Sequence, residues 1–262
     1  MGGGPSAFGV PEEDAAPLLR RMRSEAALRV EGLHVYAGTQ CLDAATLLAG
    51  VDETLRLAGE LSGGAPLGTV NLGGGLGVPY FAGQAALDLA AFGAGLAERL
   101  DRARREPWFR DTRFVLEVGR WLAAPAGTYV SRVVDVKTSR GKRYIVLDGG
   151  MNHFFAGTGG FGQVLRKNHP VFAVGGAAGP LEPYDVVGPL CTPLDTLGRG
   201  VLLPPVEVGQ LLAFPLAGAY GYTASPLLFL GHRTPTEVVV DGDTVRVARR
   251  PLSITELSPP HG

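Results

Sequence analysis

Four short segments of this 262-residue chain combine residue types that do chemistry with spacings that hold them in place. In Asn71-Leu-Gly-Gly-Gly-Leu-Gly-Val-Pro79 a glycine run follows a strand-like stretch, so consecutive backbone N–H groups can face an anion without side chains in the way. A phosphate suits such a loop; a tight turn is the ordinary alternative. Glu117-Val-Gly-Arg120 puts a carboxylate, a flexible glycine and an arginine at the C-terminal end of another strand, where β/α enzymes assemble their sites. That carboxylate can hold a protonated ring nitrogen, or belong to a solvated charged loop. Cys191, within Gly188-Pro-Leu-Cys-Thr-Pro-Leu-Asp195, is a thiol on a proline-stiffened loop. It can transfer a proton if its pKa is tuned, or serve as a small hydrophobe. Tyr220, within Gly218-Ala-Tyr-Gly221, offers a hydroxyl that can donate to an oxyanion, or a core ring.

The elements that must carry these residues fall into two textures. Helical apolar spacing is expected over Glu12 to Ala27, Leu42 to Leu61 and Leu89 to Leu100, and strands over Val30 to Ala37, Leu67 to Leu72 and Phe114 to Glu117. This alternation predicts parallel strands covered by helices. After Arg120 the chain turns β-rich: Thr128 to Lys137, a turn at Ser139 to Gly141, Arg143 to Leu147, and a late hairpin around Asp241-Gly242. Two domains are therefore expected, 1–123 with a partial (β/α) barrel and 124–262 rich in strand. The first supplies about three strands of the eight that a closed barrel needs.

With 24 basic and 25 acidic residues and a formal net charge of -1, the chain has no electrostatic footprint for nucleic acid or an anionic membrane. No apolar run is long enough to span a bilayer, and Gly2 to Pro5 do not read as a signal peptide, so a cytoplasmic protein is expected. The two cysteines cannot form a framework of bridges, and Cys41, at a strand-to-helix junction, reads as a buried structural thiol.

Taken together, the motifs resemble the fold-type III pyridoxal 5'-phosphate (PLP) decarboxylases of the ornithine/diaminopimelate/arginine family. The likeness is carried, in order, by Gly32-Leu-His-Val-Tyr-Ala-Gly-Thr-Gln40, Gly73-Gly-Gly-Leu-Gly-Val-Pro-Tyr80, Glu117-Val-Gly-Arg120, Asp148-Gly-Gly-Met-Asn152, Gly188-Pro-Leu-Cys-Thr-Pro-Leu-Asp195 and Gly218-Ala-Tyr-Gly221. The resemblance implies an α/β fold, the C-terminal portion of an alanine-racemase-like barrel followed by a β domain. It also implies PLP as cofactor and a homodimer with shared active sites. By position, Gly73, Gly74 and Gly75 would cradle the phosphate, with Thr39 where a serine is usual and with Gly119, Arg120 and Tyr220 as further contacts. Glu117 would keep the pyridine nitrogen protonated, which makes the ring a better electron sink. Tyr36 stands where many members stack a histidine on the ring, and period-two geometry would put His34 on the same face. Cys191 would protonate the decarboxylated carbon in the partner's site, while Asp195 and Asn152 fall in the substrate region. Thr192 replaces an acidic substrate contact, and the Gly- and aromatic-rich segment Asn152 to Gln163 replaces a substrate-specificity helix. The first departure weakens the usual diamine assignment, and the second resembles the branch that includes exosortase-associated decarboxylases and those acting on carrier-protein-bound amino acids.

Such enzymes hold PLP through a lysine at the end of a barrel strand. The sequence contains Lys137, Lys142 and Lys167, none of which has that setting. In the family the lysine lies upstream of the segment that Met1 to Gly9 resembles, so Met1 is expected to be internal to a longer protein and the isolated fragment to be poorly stable. Amino-acid decarboxylation is the leading expectation; a catalytically inactive regulatory homologue is the alternative, and racemisation is possible within the fold type.

Overall fold

The computed structural model describes residues 7–36, 38–160, 167–176 and 179–257. Ala37, residues 161–163 of the Asn152 to Gln163 segment and the start of the Met1 to Gly9 segment lie outside the described residues. The chain divides into two compact units, one running to Pro79 and resuming over Gln84–Trp121, the other formed by Tyr80–Gly83 with the chain from Leu122 onward.

The first unit alternates α1 (Glu12–Ser24), β1 (Gly32–His34), α2 (Ala44–Ser62), β2 (Thr69–Gly74), α3 (Leu89–Ala103) and β3 (Arg113–Glu117). Its strands form a parallel sheet in the order β1-β2-β3, as the sequence alternation predicts. Asp43 and Asp88 cap α2 and α3, each accepting a hydrogen bond from a backbone N–H in the first turn, and Gly63 ends α2 in the left-handed region. Those caps fix where each helix starts, and so which face it turns inward. Val51 and Ala58 of α2, Ala103 of α3 and Phe109 pack on Val70 and Leu72 of the central strand. Arg99 adds a bidentate contact from α3 to Asp52 of α2 at 2.8 and 2.9 Å.

The short turn α4 (Arg120–Ala123) spans the boundary between the units and leads into β4 (Thr128–Ser139) and β5 (Lys142–Leu147) of the second. These are followed by β6 (Phe172–Ala173), β7 (Glu182–Val187), β8 (Thr196–Leu203) and β9 (Leu211–Pro215). The sheet order is β6-β9-β4-β5-β7-β8, antiparallel except where β5 and β7 run parallel. The long β4 joins two halves: Thr128–Arg132 pair with β9, and Val133–Ser139 pair with β5. Phe154, Phe214, Ile145, Leu147, Val186, Leu197 and Leu212 fill the space between them. A separate hairpin, β10 (Glu237–Asp241) and β11 (Thr244–Arg249), turns at the expected Asp241-Gly242.

Candidate active site

In the first unit the expected cofactor residues converge on the C-terminal ends of the three strands. His34 of β1 lies opposite Asn71 of β2, which lies opposite Val115 of β3, so Glu117, two residues further along β3, shares their face. An irregularity between Asn71 and Gly74 inserts an extra residue in β2 and brings Gly74 opposite Glu117. Asn71 bridges the two parts: its Nδ2 donates to Glu117 Oε1 at 2.8 Å, and its Oδ1 accepts from Gly73 N at 2.9 Å. His34 Nε2 lies 3.5 Å from the other carboxylate oxygen, an ion pair whenever the imidazole is protonated. Glu117 remains about half exposed (51%), a carboxylate held from two sides yet open to a third group.

The glycine run is explained first by packing. A Cβ on Gly73 would stand 2.5 Å from Val35 O, one on Gly74 2.1 Å from Glu117 O, and one on Gly75 2.7 Å from Gly38 O. Gly73 and Gly75 also have positive φ, of 72° and 101°. The expectation that all three present free N–H groups to a phosphate is therefore corrected: the Gly73 N–H is already taken by Asn71. The Thr39 loop is fastened to this run by Cys41 N–H donating to Gly75 O and Gly77 N–H donating to Cys41 O, both at 2.8 Å. Gln40 adds a two-way clamp, its Nε2 donating to Val78 O and its Oε1 accepting from Val78 N. Cys41 is half-buried rather than buried, and its backbone does the bridging.

Tyr36 is 48% exposed, which leaves its ring face available. β1 ends at His34, so strand alternation does not carry through to Tyr36. Nothing lies within 4 Å of a Cβ placed on Gly119, and Arg120 opens α4.

The second unit holds the other expected residues. Cys191 is exposed on the loop between β7 and β8. Asn152 and Asp195 do not face outward: they are 0% and 2% exposed. Asn152 Oδ1 accepts from Gly150 N at 3.2 Å, while its Nδ2 is buried without a hydrogen-bond partner among the described residues. Asp195 accepts from Met151 N at 2.6 Å and Leu190 N at 2.8 Å. Neither side chain reaches solvent, and both carboxylate oxygens of Asp195 are used by backbone. Asp148, at the head of the same motif, accepts from Ser131 Oγ at 2.6 Å and Arg132 N at 2.8 Å. Gly149 closes against His153 and the Tyr129 hydroxyl, where a Cβ would stand 2.2 and 2.4 Å away. Burial raises the Tyr129 phenol, and burial lowers His153 against the donor-acceptor contact it makes with Arg233 O. The following Phe154 and Phe155 begin a core segment, with a short helical turn over Phe155–Thr158, in place of an exposed specificity helix. Tyr220 sits in a separate turn with a positive φ of 57° and is 41% exposed.

The three lysines have other surroundings. Lys142 Nζ pairs with the buried Asp185 at 2.6 Å, a contact that raises its pKa and keeps it charged, the opposite of what a carbonyl-attacking amine needs. Lys167 lies over the Phe81 ring at 5.1 Å, and Lys137 is on β4, opposite Tyr144.

Among the described residues no group of three or more metal-ligating side chains forms, and no helix is long and apolar enough to cross a membrane. The first unit thus sets a carboxylate and a glycine turn at parallel strand ends, and the second is a sheet domain bearing a loop cysteine. Residues 33–218 match the family described as pyridoxal-dependent decarboxylase, C-terminal sheet domain, and the chain belongs to that family. It is 36% identical over 256 residues to the L-glutamyl–BtrI acyl-carrier protein decarboxylase of Niallia circulans, a match covering 95% of this chain and 59% of that protein. Among solved structures it is similar to diaminopimelate decarboxylase from Helicobacter pylori complexed with L-lysine, with a TM-score of 0.79, 26% identity, and 95% and 59% of the two chains covered. It is also similar to SrLDC in complex with PLP and cadaverine, with a TM-score of 0.69, 28% identity, and 84% and 55% covered. The chain thus spans under two thirds of the length of these relatives.

Proposed function

We propose that this chain forms part of a PLP-dependent carboxy-lyase that removes the α-carboxylate from an amino acid presented on a carrier protein. The observation that carries the reading is the Glu117 carboxylate, held by Asn71 and His34 at the strand ends directly beside the glycine turn. The donor set fits PLP: a half-exposed carboxylate for a protonated ring nitrogen, the open ring of Tyr36 for its face, and side-chain-free backbone at Gly74 and Gly75 with the Thr39 hydroxyl for its phosphate. Arg120 and the backbone at Gly119 would be further phosphate contacts. PLP, when bound, supplies an electron sink for the pair of electrons left when CO2 departs. The Glu117 carboxylate would accept a hydrogen bond from the protonated ring nitrogen and so keep that sink effective, and the Cys191 Sγ–H would supply a proton to the substrate carbon that has lost its carboxylate. The exposed Cys191 loop suits delivery to a neighbouring copy, and a cytoplasmic homodimer with shared sites follows from this reading.

Carrier attachment is supported by the glutamyl–carrier-protein relative and by Thr192, where an acidic contact for a free diamino acid is missing. The lysine that binds PLP would come from outside these residues. The surroundings of the three lysines favour a second reading, a non-catalytic homologue that pairs with an active one.

The test is CO2 release by this chain together with the segment that supplies the lysine, with PLP, from glutamyl–carrier protein, free glutamate, diaminopimelate, ornithine and lysine. Release from the carrier-linked substrate, lost in Glu117→Ala and reduced in Cys191→Ala, is expected. No release from any substrate, together with a change in an active homologue's own rate when this protein is added to it, would support the second reading.

A further inference from the structure

We infer that Asp195 is a positioning residue that sets the Cys191 loop and the Asp148–Asn152 turn with a single buried carboxylate; its catalytic consequence rests on the proton-donor reading of Cys191. Four observations converge on it. The two carboxylate oxygens take one backbone N–H each, from Met151 at 2.6 Å and from Leu190, the residue before Cys191, at 2.8 Å. The Asp195 backbone closes the same loop: its N–H donates to Thr192 O at 3.1 Å and its carbonyl accepts from Gly188 N at 3.0 Å. Both loops are glycine where they meet the carboxylate, since a Cβ on Gly150 would stand 2.1 Å from Oδ1 and one on Gly188 2.3 Å from Oδ2. Finally, the residue is 2% exposed while Cys191 is exposed, so the carboxylate faces the interior as the thiol faces out.

The chemistry requires an aspartate. Two N–H groups arriving from opposite loops need two acceptors, and a carboxylate has them. Asparagine offers one acceptor and turns an NH2 toward the other N–H, donor against donor. Glutamate is too long for the space the two glycines leave. A buried charge is tolerated only when it is hydrogen-bonded, which makes the contact stringent: loosening either loop strands the carboxylate.

Amide exchange by NMR on the full chain tests the clamp. In the wild type the Leu190 and Met151 amides are expected to exchange slowly although both lie in loops, and fast exchange of either would overturn the inference. In Asp195→Asn, protection at both should fall together by about tenfold or more, while Ile145 and Leu212 of the sheet stay protected. Loss at one loop alone would refute the shared clamp. If the asparagine variant does not fold, Gly188→Ala, which crowds the carboxylate without removing it, is expected to loosen the same two amides, and unchanged protection there would refute it. A double-mutant cycle on decarboxylation then asks what the clamp serves. Asp195→Asn should lower kcat by about tenfold with KM within about twofold, and add little further loss to Cys191→Ala. Full additivity would overturn the claim that Asp195 acts through Cys191. A Cys191→Ala variant with undiminished kcat would instead sink the proton-donor reading, a failure that the exchange data keep separate from the clamp.

Discussion

Replacing Phe154 by alanine separates a structural reading of the Asn152–Gln163 segment from a substrate-reading one. The ring is 1% exposed. It meets His169 edge-on at 4.9 Å between centroids, and Tyr129 and Phe214 at 5.6 and 6.5 Å. Removing it deletes a large buried side chain, at about 3–5 kcal/mol for a Phe-to-Ala change in a core, with the aromatic pairs placing it at the upper end. At a urea m-value of about 2 kcal/mol/M, about 4 kcal/mol moves the unfolding midpoint by about 2 M. Leucine keeps most of the volume and should move it by about 0.5 M. Far-UV circular dichroism follows both units, while the only tryptophans, Trp108 and Trp121, lie in the first unit, so a transition seen by circular dichroism and not by tryptophan fluorescence belongs to the sheet unit. A midpoint shift under about 0.5 M for the alanine variant would refute the core assignment. So would a change of substrate preference in the leucine variant at unchanged stability, because only a surface that touches substrate can produce it.

Other residues give sharper local tests. Asn71→Ala leaves Glu117 Oε1 and the Gly73 N–H without their chain partner; Glu117 is half exposed but Gly73 is buried, so the stability cost should be about 1–3 kcal/mol, with PLP retained about three- to tenfold less tightly on equilibrium dialysis. Unchanged retention would show that Asn71 does not orient the carboxylate. Gly74→Ala drives a Cβ to 2.1 Å from the Glu117 carbonyl and should cost about 1–3 kcal/mol in thermal or urea melts. Gly93→Ala, helical and with nothing within 4 Å of its new Cβ, should instead stabilise by about 0.5–1 kcal/mol; equal effects at the two sites would contradict the packing account. Burial holds His153 and His169 below the usual imidazole value of 6.5. Unfolding frees both to take up protons, so the stability they contribute is complete above 6.5 and is lost as pH falls from there toward their folded values. Urea midpoints should drop between about pH 7.5 and pH 5.5, less steeply in His169→Gln, and a flat wild-type profile would refute the linkage.

What the sequence made legible follows from local physics. The helices were readable because Asp43 and Asp88 cap apolar periodicity, and β1, β2 and β3 because short apolar runs alternate with those helices. Strands β7 to β9 were not delineated, for identifiable reasons: β7 contains Pro183, β8 carries Gly198 and Gly200, and β9 is a five-residue apolar run that periodicity alone cannot distinguish from helix. At the site, Glu117 was visible from its place at a strand end, whereas its partner Asn71 lies 46 residues away and faces it only through the register of β2 against β3. The Asp195 contact with Met151 spans 44 residues and rests on a pairing that no spacing rule encodes. Burial was not legible either: Asn152 and Asp195 sit inside family-like motifs whose spacing does not tell that both side chains are buried.

That distinction bears on how much activity a motif match implies. In the two richest motifs, Gly73-Gly-Gly75 and Asp148-Gly-Gly-Met-Asn152, every glycine has a packing reason: each stands where a Cβ would strike neighbouring backbone or a buried side chain. Asp148, Asn152 and Asp195 are bound to backbone amides. A homologue that had abandoned catalysis would still need these residues to fold. The groups that folding does not require are the exposed ones, chiefly Glu117, Tyr36, Cys191 and Tyr220. A half-exposed carboxylate flanked by His34 and Asn71, and a solvent-facing thiol on a loop anchored by a buried aspartate, contribute little to stability that simpler residues would not. A decarboxylase would need these groups and the fold does not, so substitutions at these positions, not at the glycines, discriminate a decarboxylase from an inactive relative.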